Sequence, residues 1–354
     1  MDGVDAAYVE TDGAGHLVLG GAASVPFDPT FRAKLKSFVA SAPERGASAL
    51  ERDIEVALTD LHAEAVRQLV VQNKLRYEQI DAIGFHGQTI WHRPQVHETW
   101  QMGDAQRLAD AVGITVVSDF RSADVRAGGQ GAPLVPVFHA ALARDFEKPV
   151  AIVNIGGVGN ITWIDGDDLL AFDTGPGNAL IDDWVAKHAS RPMDEGGRIA
   201  GSGKVHEAVL AGLLAHPYFD QPPPKSLDRN HFSPAAVADL SVGDGAATLT
   251  ALTAASIARG LEQCPRRPRR LLVTGGGRHN KTLMALISKY AGLAAESVDQ
   301  YGWKGDALEA QAFAYLAVRC LCGLPITFPG TTGITAPLTG GVVTQPTGRA
   351  AAKT

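Results

Sequence analysis

The chain has 354 residues, 45% hydrophobic and 20% charged, with a formal net charge of −6. That length and balance describe a folded chain with core material for two domains, not a disordered or fibrous one. The acidic balance gives no overall attraction to nucleic acid or an anionic membrane, and no run of 18 or more apolar residues offers a membrane span.

Three cysteines, Cys264, Cys320 and Cys322, are too sparse for a disulfide framework and fit a cytoplasmic setting. Cys320-Leu321-Cys322 has no second ligand pair nearby, so it reads as buried thiols rather than a metal site. The first residues lack a signal-peptide core.

In chain order, Ala6–Glu10 reads as a strand, Thr11–His16 as a hairpin turn and Leu17–Leu19 as the return. Asp53 is expected to cap a long helix carrying Ile54, Leu58, Leu61, Ala65 and Leu69 at helical spacing. Ala82–Phe85 is a strand running into His86-Gly87-Gln88-Thr89, and His86 and His92 flank a loop with Trp91. Asp104 opens a helix that Gly113 stops, and Ile114–Ser118 is a strand leading to Asp119 and Arg121. The Gly-rich stretch Ala127–Pro133 reads as the domain hinge.

The strand–helix alternation then restarts. Val150–Asn154 is a buried strand turning at Ile155–Asn160 into Ile161–Ile164, a hairpin. A short apolar run ends in Asp173, small residues form a tight turn, and Leu180, Ile181, Trp184 and Val185 mark a helix. Asp173 is therefore expected at the C-terminal tip of a strand, the edge where α/β sheets bind ligands. Ser190–Ser241 has weak periodicity; Ala246–Leu261 is a helix, Arg270–Thr274 and Glu296–Asp299 are strands, and Asp306–Cys320 is a helix bearing Glu309. The tail after Pro325 reads as irregular.

Three glycine turns, around Gly3, Asn154–Asn160 and Gly275–Asn280, can expose backbone N–H groups to phosphate oxygens. Together with Asp2 and Asp5 they suggest a nucleotide and Mg²⁺, which keeps much of its water. Gly275–Thr282 nearly matches a P-loop, but Asn280 stands where its second glycine is required, and Asn154–Asn160 has the wrong spacing for a dinucleotide fingerprint. No Gly-x-Ser-x-Gly elbow and no His-Glu-x-x-His pair occurs.

The strings Asp2-Gly3-Val4-Asp5, Gly84–Thr89, Gly128–Pro136, Asn154–Gly157, Phe172–Asn178 and Val273–Gly277 follow one another in this order. With them the chain resembles the anhydro-N-acetylmuramic acid kinase family from Asp2 to about Gly341. The resemblance implies an α/β fold of the actin and hexokinase ATPase type, two ribonuclease-H-like lobes with a cleft between them. It puts residues 1–130, joined by 330–354, in the first lobe and 131–329 in the second. It also implies a strand and a Gly-Thr-Ser turn ahead of Asp2, where the given sequence begins.

By the same resemblance the general base falls on Asp173. The family's ATP loop falls partly on Asp2, Gly3, Val4 and Asp5; the reading of the glycine turns adds Asn154, Gly156, Gly157, Gly275, Gly276 and Gly277 for ATP, with Mg²⁺ at Asp2 and Asp5 directly or through water. His86, Arg121, Gly175, Asn178 and Glu309 are the expected substrate contacts. The expected partner is a small amino sugar, with no nucleic acid and no membrane, and the expected assembly is a homodimer. Two alternatives stand beside this reading: a weakly active or inactive binding homologue, and a sugar kinase acting on a free hydroxyl.

Overall fold

The computed structural model describes residues 3–41, 43–46, 48–228 and 231–348. The chain divides into two compact units, Met1–Ala141 with Ala307–Thr354, and Leu142–Asp306.

In the first unit, strands β1 (Gly3–Thr11) and β2 (Leu17–Pro26) pair antiparallel as the hairpin expected. Its turn closes on Asp12, whose Oδ1 accepts the N–H groups of Ala14 and His16. The long helix starts earlier than Asp53. It spans Ala49–Gln72, because the Ser48 hydroxyl accepts the Glu51 N–H and caps it, an arrangement worth about 1 kcal/mol.

Strands β3 (Ala82–Gly84), β4 (Gln88–Arg93), β5 (Glu98–Met102) and β6 (Thr115–Ser118) follow. β3 and β6 pair parallel, and a strand at Val342–Thr344 adds antiparallel to β6. The tail read as irregular therefore supplies a sheet edge. β4 and β5 form a hairpin where a loop was expected around Trp91; Trp91 and Trp100 sit across from each other on it. Val4, Val25, Leu35, Phe38, Ile54, Leu58, Trp100 and Met102 share one core. Each such side chain contributes about 1.5–3 kcal/mol when fully buried.

The expected boundaries at 130 and 330 fall instead at 141/142 and 306/307. The helix Leu308–Leu321 packs on β1 and β3 and so belongs to the first unit. The glycine stretch read as a hinge is tied down within that unit. Asp124 is buried, its Oδ1 accepts the Gly131 N–H at 2.6 Å, its Oδ2 accepts from Thr332, and Gln130 N–H donates to Thr332 O.

The second unit is built on a five-stranded sheet of β7 (Val150–Ile155), β8 (Val158–Asp165), β9 (Asp168–Pro176), β10 (Arg270–Thr274) and β11 (Ala295–Ser297). Its spatial order is β11-β10-β7-β8-β9. β7, β8 and β9 make an antiparallel meander, and β10 and β11 add parallel on the far side of β7. That is the ribonuclease-H-like order, and it agrees with the fold class expected for this lobe.

Alternation assigns the two faces of this sheet. Ala151, Val153, Ile155, Ile161, Trp163, Phe172, Leu271 and Val273 form one core with residues of the helices Val242–Glu262 and Lys281–Ala291. Ile152, Ile164 and Leu272 are buried on the other face.

Candidate functional site

The site in the second unit follows from strand register. Thr274 of β10 pairs with Asn154 of β7, Asn154 with Asn160 of β8, and Asn160 with Asp173 of β9. Directly paired residues share a face. The four polar residues therefore form one row across the sheet, on the face opposite the core that holds Val153, Ile161, Phe172 and Val273. Along that face they follow the buried row Leu272, Ile152, Thr162 and Ala171.

Asp173 is not at the strand tip, as expected from the sequence. β9 continues through it to Pro176, which pairs with Val158, after a register shift between Gly159 and Asn160. Its surroundings come from the segment whose sequence showed little periodicity. Asp173 N–H donates to Lys225 O at 2.9 Å, Leu227 N–H donates to Asp173 Oδ2 at 2.8 Å, and the Tyr218 hydroxyl donates to Asp173 O at 2.7 Å. Burial pushes the Asp173 carboxyl up to about 6, against the Leu227 hydrogen bond, which favours the charged form. Its other oxygen, Oδ1, has no hydrogen-bond partner among the described residues.

The two glycine turns of this unit meet beside the row. Gly275 has φ +74°, and a Cβ there would lie 2.5 Å from Asn154 Oδ1 and 2.6 Å from Ile155 O. Only glycine fits this approach. Gly277 lies against Ile155, and Asn178 closes the group by donating its amide to Ile155 O at 3.1 Å. The backbone N–H groups of Gly177 and Asn178 donate to Gly157 O and Gly156 O. Asn154, Gly156, Gly157, Asn178, Gly275, Gly276 and Gly277 are thus one cluster. Gly175 is not open to it: a Cβ at that position would lie 2.8 Å from Ser256, so this glycine serves close packing on the helix Val242–Glu262.

Arg278, which the sequence reading passed over, anchors the second turn. Its buried guanidinium donates to Gly275 O, Asp299 and Asp306 at 2.8–2.9 Å. The signal available in the sequence was a cation directly after three glycines, next to two carboxylates further on.

The first unit brings His86, Arg121 and Glu309 together. Arg121 Nε and Nη2 lie 3.1 and 2.9 Å from His86 Nε2, and Arg121 Nη1 donates to Gly131 O at 2.7 Å. His86 Nδ1 lies 2.9 Å from Gly87 O, which leaves Nε2 as the acceptor for the guanidinium. Burial, then the neighbouring Arg121 charge, pushes the His86 imidazolium down to about 3, so His86 is neutral at physiological pH. Its ring packs on Phe313, and Glu309, exposed at the start of the same helix, is a favourable charge for Arg121.

Beside His86 lies a polar cavity of about 130 Å³, lined also by Arg45, Gly87, Gln101, Ser118 and Asp119. Asp119 has φ +52°, a conformation strained for a non-glycine residue, at the end of β6. It too was missed from the sequence.

Gly3, Val4 and Asp5 lie on β1 rather than in a free turn, with Val4 buried and Asp5 exposed opposite Ser24. Asp2 lies outside the described residues. Among the described residues no group of three or more His, Cys, Asp or Glu could hold a metal ion, and no helix is long and apolar enough to cross a membrane.

A ribonuclease-H-like sheet with paired glycine turns beside a row that ends in a carboxylate is the equipment of a phosphate-handling α/β enzyme. The family model for anhydro-N-acetylmuramic acid kinase matches residues 1–346, and the chain belongs to that family. A protein of that name from Rhizorhabdus wittichii is 51% identical over 351 residues, covering 98% of this chain and 96% of its own. Another from Rhodospirillum rubrum is 50% identical over 343 residues, covering 96% and 90%. Among solved structures, a ROK family glucokinase from Streptomyces griseus in complex with glucose and AMPPNP is similar at 14% identity and a TM-score of 0.42. It covers 89% of this chain and 96% of its own.

Proposed function

We propose that this chain uses ATP and water to convert anhydro-N-acetylmuramic acid to N-acetylmuramic acid 6-phosphate during recycling of cell-wall fragments. Membership of the family gives the substrate class. The observation that carries the mechanism is the Asp173 row beside the two glycine turns.

A 1,6-anhydro sugar has no free 6-hydroxyl. Water must add to the anomeric carbon as the bond from that carbon to O6 breaks, and O6 then takes the γ-phosphoryl group as the bond to ADP breaks. The proton lost by water goes to the Asp173 carboxylate, whose Oδ1, bonded to none of the described residues, is the acceptor. A base so placed contributes roughly 10²–10⁴-fold. Its pKa, pushed up by burial to about 6, lies close to working pH, as efficient proton transfer requires.

The cluster of Asn154, Gly156, Gly157, Gly275, Gly276 and Gly277 holds phosphate oxygens by backbone donors and close approach, with Arg278 keeping the turn in place. Mg²⁺ is part of this proposal; it would neutralise phosphate charge, and a nucleotide-borne ion needs only one or two carboxylates, of which Asp5 is the exposed one described. His86, Arg121 and Glu309 are proposed to meet the acceptor. Arg121 has Nη hydrogens beyond those given to His86 and Gly131, suited to the lactyl carboxylate. A cytoplasmic homodimer completes the reading.

The test is ATP consumption with the anhydro sugar and with open-ring N-acetylmuramic acid side by side. Turnover with the anhydro sugar alone supports the reading. Turnover with the open ring alone makes the protein a kinase of free hydroxyls, and turnover with neither leaves a binding homologue.

A further inference from the structure

We propose that Asn160 is a substrate-positioning residue, donating its side-chain amide to the oxygen that passes between the sugar and the γ-phosphoryl group. This rests on the reading of Asp173 given above.

Three observations carry it. Asn160 stands in register between Asn154, which touches the Gly275 turn, and Asp173. Its position is therefore between the phosphate cluster and the base, where the transferred oxygen must lie. Second, Asn160 is half-buried, yet its amide makes no hydrogen bond to any described residue. Its amide is not among the fully buried unpartnered atoms, so it stays open to donate to a bound molecule. Third, its face of β8 runs from the buried Ile164 through the buried Thr162 to Asn160, the first of the three that is not closed off from solvent.

The chemistry distinguishes an amide from its neighbours. O6 gains negative charge as its bond to the anomeric carbon breaks, and keeps part of it until phosphorus is bonded. A neutral N–H donor stabilises that charge without taking the water's proton, which Asp173 receives. A carboxylate at position 160 would repel both the phosphoryl oxygens and Asp173. Cross-strand partners place their Cβ atoms about 5 Å apart, close enough for that repulsion to act.

The experiment uses the full chain and compares Asn160→Ala, Asn160→Gln and Asn160→Asp with the parent, reading kcat, each KM and the pH profile. For Asn160→Ala the expected result is a fall in kcat of about 100- to 1,000-fold, the range for losing one such donor. KM for ATP and for the anhydro sugar should stay within about threefold, as for an interaction made only in the transition state. Asn160→Gln should recover part of kcat. Asn160→Asp should move the acidic limb of the profile upward, because a second carboxylate raises the proton affinity of Asp173. Tyr218 and Lys225, also close to Asp173, are unchanged in all three variants.

Parental kcat in Asn160→Ala, or an unmoved limb in Asn160→Asp with normal folding by circular dichroism, would overturn the proposal. If Asp173→Asn in the same assay keeps full turnover, the reading of the base fails instead, so the two failures are distinguishable.

Discussion

The phenolic hydroxyl of Tyr218 donates to the main-chain carbonyl oxygen of Asp173 at 2.7 Å, fixing the backbone that carries the proposed base from a segment 45 residues further along the chain. Lys225 adds to this clamp, donating its ammonium to Tyr218 O and lying over the Tyr218 ring at 4.9 Å from the centroid. Tyr218→Phe removes one neutral hydrogen bond, a cost of about 1 kcal/mol. We expect a fall in kcat of about 3- to 10-fold with an unchanged pH profile, as for a residue acting through backbone position. Steady-state kinetics across pH 5–9 check it.

Asp173 titrates at about 6 when folded, above its ordinary 3.8, because of burial. A base of this kind works only when ionised, so kcat should fall on the acid side with a limb near pH 6. Stability has the opposite sign. Between about pH 4 and 6 the folded state holds a proton that the unfolded state has lost, so Asp173 makes folding less favourable as pH rises through that window. Asp173→Asn keeps an oxygen for the Leu227 N–H and carries no charge. Its melting temperature should exceed the parent's at pH 7 and approach it at pH 4, by differential scanning calorimetry.

His86 behaves in the other direction. Its folded value, about 3, lies below the ordinary 6.5. Below pH 6.5 the unfolded chain binds a proton that the folded chain refuses, so stability is lost as pH falls towards 3. His86→Gln, with an amide oxygen to accept from Arg121, should lose less stability than the parent between pH 6.5 and 4. Urea unfolding at a series of pH values reads this directly.

Much of the second unit was legible in the sequence because its signals are local. The buried run Val150–Asn154, the turn at Gly156 and Gly157, and the glycines after Thr274 each mark an element by their own residues, and the structure has strands and turns there. What the sequence hid depends on pairing over distance. The segment around Tyr218 and Lys225 has no periodicity of its own and is ordered by bonds to β9. The strand Val342–Thr344 looks like loop until β6 gives it a partner. The stretch Gly128–Gly131 reads as a hinge because glycine is mobile in isolation, whereas the buried Asp124 carboxylate holds it. Asn160 went unnoticed for the same reason, since its place beside Asp173 exists only in the register of β8 with β9.

Arg278 joins the Gly275 carbonyl to two carboxylates from the β11 side of the sheet. Arg278→Ala releases that carbonyl and leaves a gap behind the turn, at a cost of about 1–3 kcal/mol for the lost charge-assisted hydrogen bonds. The expected effect is a rise of about tenfold or more in KM for ATP, with a smaller change in KM for the sugar. Gly275→Ala should act the same way and more strongly, since its Cβ would sit 2.5 Å from Asn154 Oδ1 at a positive φ. Nucleotide binding by isothermal titration calorimetry checks both.

The proposed reaction turns on Asp173 as the group that takes the proton from the attacking water. Its most direct test is Asp173→Asn assayed with ATP and the anhydro sugar, alongside nucleotide binding to the same protein. The predicted result is a loss of roughly 10²–10⁴-fold or more in kcat with nucleotide affinity within about threefold of the parent. Turnover at the parent rate in that variant would contradict it.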